Sequence, residues 1–296
     1  LFPPMRKGRT GLLVYCDGSE LAALEESAVP NIIAVGGFAV PRERRGEFIC
    51  EVREAKRDLT GDPYVPIKWN IRDLREDIEE RGGPEFYGEV ARVSRDVRSR
   101  MLEALRAADG TCFVSLIHAH SHREDVLRDV GGRLPRYCFV NLLQRIGLCV
   151  ERRIEGERSV QVVMDWPPGN DRSPWEQEYR AGWEEGDSAD PGDDSAYICG
   201  PLSRLGFRPG LLYGTTASNE GLQVADLVVG VTREFVKWAH LEEGEIDGVG
   251  MEEFSELLPH FHDRAGPVVG RGIAVAPRTS DLLRSVRSAI REIRGH

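Results

Sequence analysis

The chain has 296 residues, 41% hydrophobic and 30% charged, enough for one large domain with insertions or two modest ones. A net charge of −10, from 49 acidic and 39 basic residues, argues against a protein that coats nucleic acid through a general basic footprint, but leaves room for a local basic groove. No stretch approaches the ~18 to 20 continuous apolar residues of a membrane span, and no signal peptide is visible. Cys16, Cys50, Cys112, Cys138, Cys149 and Cys199 are scattered without a Cys-x-x-Cys pair, which favours a reduced, cytoplasmic setting over a disulfide framework or zinc knuckle.

Gly11 to Cys16 reads as a short buried strand closed by Asp17-Gly18-Ser19, and Asn31 to Val40 as a second strand stopped by Pro41. Phe48, Val52, Ala55 and Leu59 space as a helix face. Pro63 to Pro66 interrupts the pattern, and Ile67-Lys68-Trp69 follows as a short extended piece. Phe86, Val90, Val93, Val97, Met101 and Leu105 recur at helical spacing, which predicts an amphipathic helix from Pro84 to Ala108. Thr111 to His118 is a third strand, buried on both faces. Leu134 to Ile154 is a long helix, and Ser159 to Met164 a fourth strand ending at Asp165.

Glu184 to Asp194 is acidic and punctuated by Gly and Pro, as a mobile surface insertion would be. Leu211 to Thr216 is a fifth strand, followed by a long apolar helix from Gly221 to Trp238. The chain after Gly248 is expected to be an appendage whose last helix starts at Ser280. An initial hairpin followed by crossovers predicts an α/β fold, with a mixed sheet flanked by helices and a C-terminal helical appendage. The main domain would span residues 11–240, with 241–296 packed on it.

Asp226 lies in the middle of the apolar helix. A buried carboxylate is strongly unfavourable unless it is paired, hydrogen-bonded or bound to metal. Gln223, three residues earlier, shares its helix face. Asp17 and Asp165 close the first and fourth strands, and ligands of open α/β sheets gather at strand ends. Read singly, Asp17-Gly18 is also a turn, and Asp165 before Trp166-Pro167-Pro168 a loop cap. Read together, converging like charges call for a cation. Hard oxygen ligands without thiolates point to Mg²⁺ or Mn²⁺, and such a cluster would activate water for phosphodiester cleavage.

Cys16-Asp17-Gly18-Ser19, Ile67-Lys68-Trp69, Val162-Val163-Met164-Asp165 and Leu222-Gln223-Val224-Ala225-Asp226-Leu227 together resemble the domain-of-unknown-function 3800 family. That family is similar to the ribonuclease H-like fold, and its members resemble metal-dependent nucleases. The resemblance runs from Gly11 to about Trp238, and the Gln-x-x-Asp helix is its most specific part. The family's usual Asp-Glu-Ser-Gly start is altered, with Gly18 in place of the Glu and Glu20 in place of the Gly. The resemblance implies Asp17, Asp165 and Asp226 as ligands of Mg²⁺ or Mn²⁺, and RNA or DNA as substrate. It places Lys68 near the scissile phosphate, where a cation offsets transition-state charge. Ser19 and Gln223 would support the site, Gln223 by orienting Asp226 or a backbone group at the sheet end. A fourth acid is open between Glu51 and Glu54.

Two other classes compete. His118, His120 and His122 alternate along one strand face and could bind zinc in a hydrolase, with His240, His260 and His262 elsewhere as further ligands. The bland alternative is a polar strand-to-helix junction, with a helix starting at Ser121. The fold could also serve as a non-catalytic nucleic-acid or protein-binding module, with a protein partner or as a homo-oligomer. Arg284, Arg287, Arg291 and Arg294 form a stripe on the last helix, and Arg92, Arg95 and Arg98 recur on the long one. Such faces are solvated surface or tracks for phosphates. No aromatic–basic interleaving of the kind found in single-strand platforms is evident.

Overall fold

The computed structural model describes residues 10–20, 32–118, 133–153, 158–166, 172–190, 196–241, 249–263 and 267–295. Its six strands are β1 (Thr10–Glu20), β2 (Ile32–Pro41), β3 (Thr111–His118), β4 (Arg158–Asp165), β5 (Leu212–Gly214) and β6 (Ile273–Ala276). They form one sheet in the order β5-β4-β1-β2-β3-β6. β2 runs antiparallel to both its neighbours, β1 and β3, whereas β4 lies parallel to β1, β5 to β4 and β6 to β3. All ten residues of β2 are buried, as a central strand covered on both faces requires.

Alternation along the strands divides the core into two layers. Tyr15, Ile32, Ala34, Phe38 and Val114 face one way. They pack against α1 (Arg45–Thr60), α2 (Arg75–Ala107), α5 (Glu220–Leu241), α6 (Val249–Leu257) and α7 (Asp281–Ile293). Val14, Cys16, Ile33, Val35 and Phe113 face the other way, towards α3 (Arg133–Arg153) and α4 (Ser173–Glu184). The molecule is therefore α/β, with a mixed sheet between helical layers. No helix among the described residues is long and apolar enough to cross a membrane.

The structure differs from expectation in several places. β1 does not stop at Cys16 but continues as a hairpin with β2 to Glu20, opposite Ile33. Only its pairing with β4 ends there, at Cys16 opposite Met164. The helix expected from Pro84 does begin at that residue, but residues 75–82 are helical too. Gly83, at φ 83° and ψ 178°, breaks the two segments, and Pro84 opens the second with a preset φ.

The C-terminal region is not only a helical appendage, because β6 extends the sheet beyond β3, pairing Ile273 with Val114 and Ala276 with Ile117. A four-residue strand is too short to register as periodicity. The acidic segment is also tied down where it is described. Ala189 N–H donates to the buried Glu178 at 2.8 Å, Tyr197 N–H to Gly186 O at 2.7 Å, and Asp190 is buried. Residues 191–194 lie outside the described residues.

A carboxylate cleft as the candidate active site

Three elements deliver the predicted aspartates to one cleft of about 480 Å³. Cys16 pairs with Met164 across parallel strands, so the side chains of the next residue of each strand, Asp17 and Asp165, project from the same face of the sheet. That face is covered by α5, which brings Asp226. Across residues 221–232 of this helix every position is buried except Asp226. The helix is covered by the sheet on one side and by neighbouring helices on others, and opens to the cleft at the one acid. Lys68 lines the same cleft, from the extended piece before a short 3-10 turn (Ile71–Leu74).

Fixed donors orient the acids. Gly18 N–H donates to Asp17 Oδ1 at 2.7 Å. Trp69 N–H donates to Asp226 Oδ2 at 2.5 Å. Thr216 N–H donates to Asp165 Oδ1 at 2.9 Å. Asp17 and Asp226 lie close enough for their like charges to conflict. Asp17 is held well above the usual carboxylate range, first by burial, then by the negative charges of Asp226 and Asp165. The Gly18 N–H and Lys68 oppose that rise. Asp226 is also raised by burial, against the pull of Trp69 N–H, Lys68, Asp17 and Arg233.

The donor chemistry, hard carboxylate oxygens converging on shared negative charge, fits a cation such as Mg²⁺ or Mn²⁺. The spacing is less complete. Among the described residues no three His, Cys, Asp or Glu side chains are grouped as a ready-made metal site. Asp226 acts on Asp17 more strongly than Asp165 does, and Asp165 turns one oxygen to the Thr216 backbone.

Gln223 does not touch the carboxylates. Its Nε2 donates to Thr216 O at 2.8 Å and its Oε1 accepts from Lys56 Nζ at 2.5 Å. Gln223 thus holds the turn whose N–H orients Asp165, rather than orienting Asp226. Lys56 is fully buried, and burial lowers its ammonium to about 8. Sequence reasoning passed over Lys56, although it stands four residues after Val52 on the apolar face of α1, where a lysine is itself a signal. Ser19 continues β1 opposite Ala34, and its side chain lies outside the described residues.

Other cleft residues were also missed. Trp69 is braced by Arg98, which donates to its carbonyl at 2.7 Å and stacks on its ring at 4.6 Å. Gly230 and Arg233 follow Asp226 by four and seven residues, the same helix face, and line the cleft. Asp73 lines it too and accepts from Asn70 Nδ2 at 2.6 Å. Trp166 and Trp175 border it on the β4 side.

Several candidates lie elsewhere. Neither Glu51 nor Glu54 lines the cleft. Glu51 borders a separate pocket with Arg100, and Glu54 accepts from the Cys50 thiol. α1 turns these positions to solvent while its other face meets the core. His118 ends β3 two strands away from β1, with its ring against His240 at 5.0 Å. His240 Nδ1 in turn lies 3.2 Å from Ser285 Oγ. His120, His122 and the helix expected from Ser121 lie outside the described residues. The arginines of α2 do not form one stripe, since Arg95 pairs with Glu252 at 2.5 Å while Arg98 turns inward to Trp69. On α7, Leu283, Val286 and Ile290 are buried and Arg284 pairs with Asp281. Comparisons with protein-family models, curated proteins and solved structures found no match for this chain.

Proposed function

We propose that the cleft is the active site of a divalent-metal-dependent nuclease with a ribonuclease H-like fold, of the kind suggested by the likeness to the domain-of-unknown-function 3800 family. The observation that carries this reading is the meeting of Asp17, Asp165 and Asp226 with Lys68 in one cleft. These residues come from positions as far apart as the first strand and the helix after the fifth. The mixed sheet, three antiparallel strands followed by parallel additions, supports the fold assignment.

Asp17 and Asp226 would hold Mg²⁺ or Mn²⁺, with Asp165 as the third carboxylate. A bound ion of this kind supplies Lewis acidity and a more acidic water for phosphodiester hydrolysis. The protein's own groups do the positioning. Trp69 N–H fixes the Asp226 rotamer, Thr216 N–H fixes Asp165, and Lys68 offers a positive charge to the phosphate oxygens as negative charge develops on them. Burial strengthens each of these interactions relative to water.

The upward shift of both Asp17 and Asp226 favours one competing reading, a non-catalytic nucleic-acid or protein-binding module, because protonating one carboxyl would ease the charge conflict without any cation. Calorimetric titration of Mg²⁺ and Mn²⁺ into the parent and Asp226→Asn, beside cleavage assays on RNA and DNA oligonucleotides, separates the two. The nuclease reading expects metal binding and cleavage in the parent, both lost in Asp226→Asn. Equal metal affinity in both proteins would sink the site assignment. Salt-dependent oligonucleotide binding without cleavage under any divalent ion would favour the module.

A further inference from the structure

Another pocket, of about 360 Å³, lies away from the carboxylate cleft and is lined by Gly11, Arg42, Glu43, Ser159 and Arg208. Strand pairing sets it out. Leu12 pairs with Pro41 and Gly11 with Ser159, so Arg42, Gly11 and Ser159 stand side by side across β2, β1 and β4. The Cys16–Met164 pair, next to Asp17 and Asp165, closes the other end of the β1–β4 pairing. At ~3.3 Å per strand residue, the two sites are about 20 Å apart.

Both arginines are held in place. A Cβ on Gly11 would fall 3.0 Å from Arg42 Cβ and 3.3 Å from its Cδ and Nε. The Arg42 side chain therefore lies along a stretch of backbone that only glycine leaves bare. The Arg208 backbone is fixed at both its polar groups. Its N–H donates to Val160 O at 2.8 Å, and its carbonyl accepts from the hydroxyl of the buried Tyr179 at 2.7 Å. Arg208 Nε donates to Ser159 Oγ at 3.2 Å. Ser159 is buried, and with its oxygen accepting from Arg208 its own proton remains to be donated.

These arginines lack what an acidic chain readily supplies. With 49 acidic residues against 39 basic, nearby arginines find carboxylates: Arg44 pairs with Glu47 and Asp109, and Arg53 with Glu220. Among the described residues neither Arg42 nor Arg208 has a carboxylate at ion-pair distance. Glu43 is the one acid on the pocket wall, so the two guanidinium charges outnumber it. Two guanidinium groups and a hydroxyl, all able to donate, call for a ligand rich in acceptors. A carboxylate offers a planar pair of oxygens, which a single guanidinium fork satisfies. A phosphoryl group offers a tetrahedral set that engages both forks and the hydroxyl together.

We infer that Arg42, Arg208 and Ser159 form a binding site for a phosphoryl group, at the opposite end of β1 and β4 from the carboxylate cleft. The group belongs either to a free phosphate ligand or to the backbone of a nucleic acid.

The test is calorimetric titration of inorganic phosphate, with acetate as the carboxylate control, into the full chain in EDTA at fixed ionic strength. Parent, Arg42→Gln, Arg208→Gln and Lys68→Gln are compared, and thermal melts in chloride check that each is folded. The parent is expected to bind phosphate saturably and acetate more weakly. Each arginine variant should weaken phosphate about tenfold or more, while Lys68→Gln keeps the parent's affinity. No phosphate binding by the parent, acetate bound as tightly, equal affinity in the arginine variants, or a loss confined to Lys68→Gln would each overturn the site. Binding of a labelled oligonucleotide across a salt series then names the source. A slope of log affinity against log salt that is shallower by about one in Arg42→Gln assigns a backbone phosphate. An unchanged slope, or no oligonucleotide binding, assigns a free ligand. Neither arm depends on cleavage, so a negative nuclease assay leaves the site standing.

Discussion

Lys56 Nζ donates to Gln223 Oε1 at 2.5 Å, joining α1 to α5 across 167 positions of sequence. The other end of the same amide holds Thr216 O, and Thr216 N–H orients Asp165. One buried side chain therefore couples a buried cation to a carboxylate it never touches.

Replacing Gln223 tests that coupling. Gln223→Leu keeps the volume but leaves an ammonium and a carbonyl without their partner, so we expect a loss of about 3 kcal/mol in urea unfolding. Gln223→Glu keeps the acceptor for Lys56 and gives up only the donation to Thr216, so its loss should be smaller. A loss below about 0.5 kcal/mol for Gln223→Leu would place the bridge among neutral contacts.

Lys56 also predicts a pH dependence. Burial lowers it from 10.5 to about 8, so over that interval the unfolded chain holds a proton that the folded chain has released. Stability must then rise with pH through the window, on the order of 3 kcal/mol in all, and this contribution is lost as pH falls through the folded value. Cys16 and Cys138, each pushed up to about 12 by burial, work in the opposite sense, because stability from a raised acid falls as pH rises past its unfolded value. The difference between parent and Lys56→Met isolates the lysine. It should shift in the parent's favour between about pH 7.5 and about pH 10, measured by denaturant unfolding. A flat difference would mean Lys56 is not desolvated.

Asp226→Asn should stabilise the protein when divalent ions are absent. The amide keeps an acceptor for Trp69 N–H, can donate to Asp17, and removes a negative charge from a buried pair. We expect a gain of about 1 kcal/mol, or a few degrees in melting temperature, in EDTA. Sites shaped for function commonly carry such strain. A lower melting temperature for Asp226→Asn would show that the two carboxylates are not in conflict.

Gly230 separates packing at the cleft wall from helix propensity. A Cβ at this position would fall 2.3 Å from Cγ of Trp69, the residue whose N–H holds Asp226. Gly230→Ala should therefore destabilise by about 1–3 kcal/mol despite the better helix former. Gly88, in α2, has nothing within 4 Å of its missing Cβ, so Gly88→Ala should stabilise by up to about 1 kcal/mol. Thermal melts of both variants check the opposite signs.

Much of this was legible in the chain itself. The apolar run around Asp226 announced a helix packed on a sheet and singled out the one acid that had to face something else. Reading Asp17 and Asp165 as strand endings pointed to one region of that sheet, although β1 runs on past Asp17 to Glu20. Less visible was α4, although Trp175, Tyr179 and Trp183 stand four residues apart, because acidic neighbours masked the stripe. β6 was hidden by its brevity. The histidine run was prominent in sequence, yet its described member, His118, meets His240 away from the cleft.

Local spacing determined which face of each element is apolar and which polar residues break that face: Asp226 on α5, Lys56 on α1, Asp165 at the end of β4. It could not determine which of these exceptions meet. That depends on strand order and register, set by pairings between distant segments such as Cys16 with Met164. Only the tertiary structure put Lys56 against Gln223, set Asp17 against Asp226, and brought Trp69, Trp166 and Trp175 to one cleft. Short-range periodicity carries no information about such long-range contacts, because their geometry comes from the packing of the whole sheet.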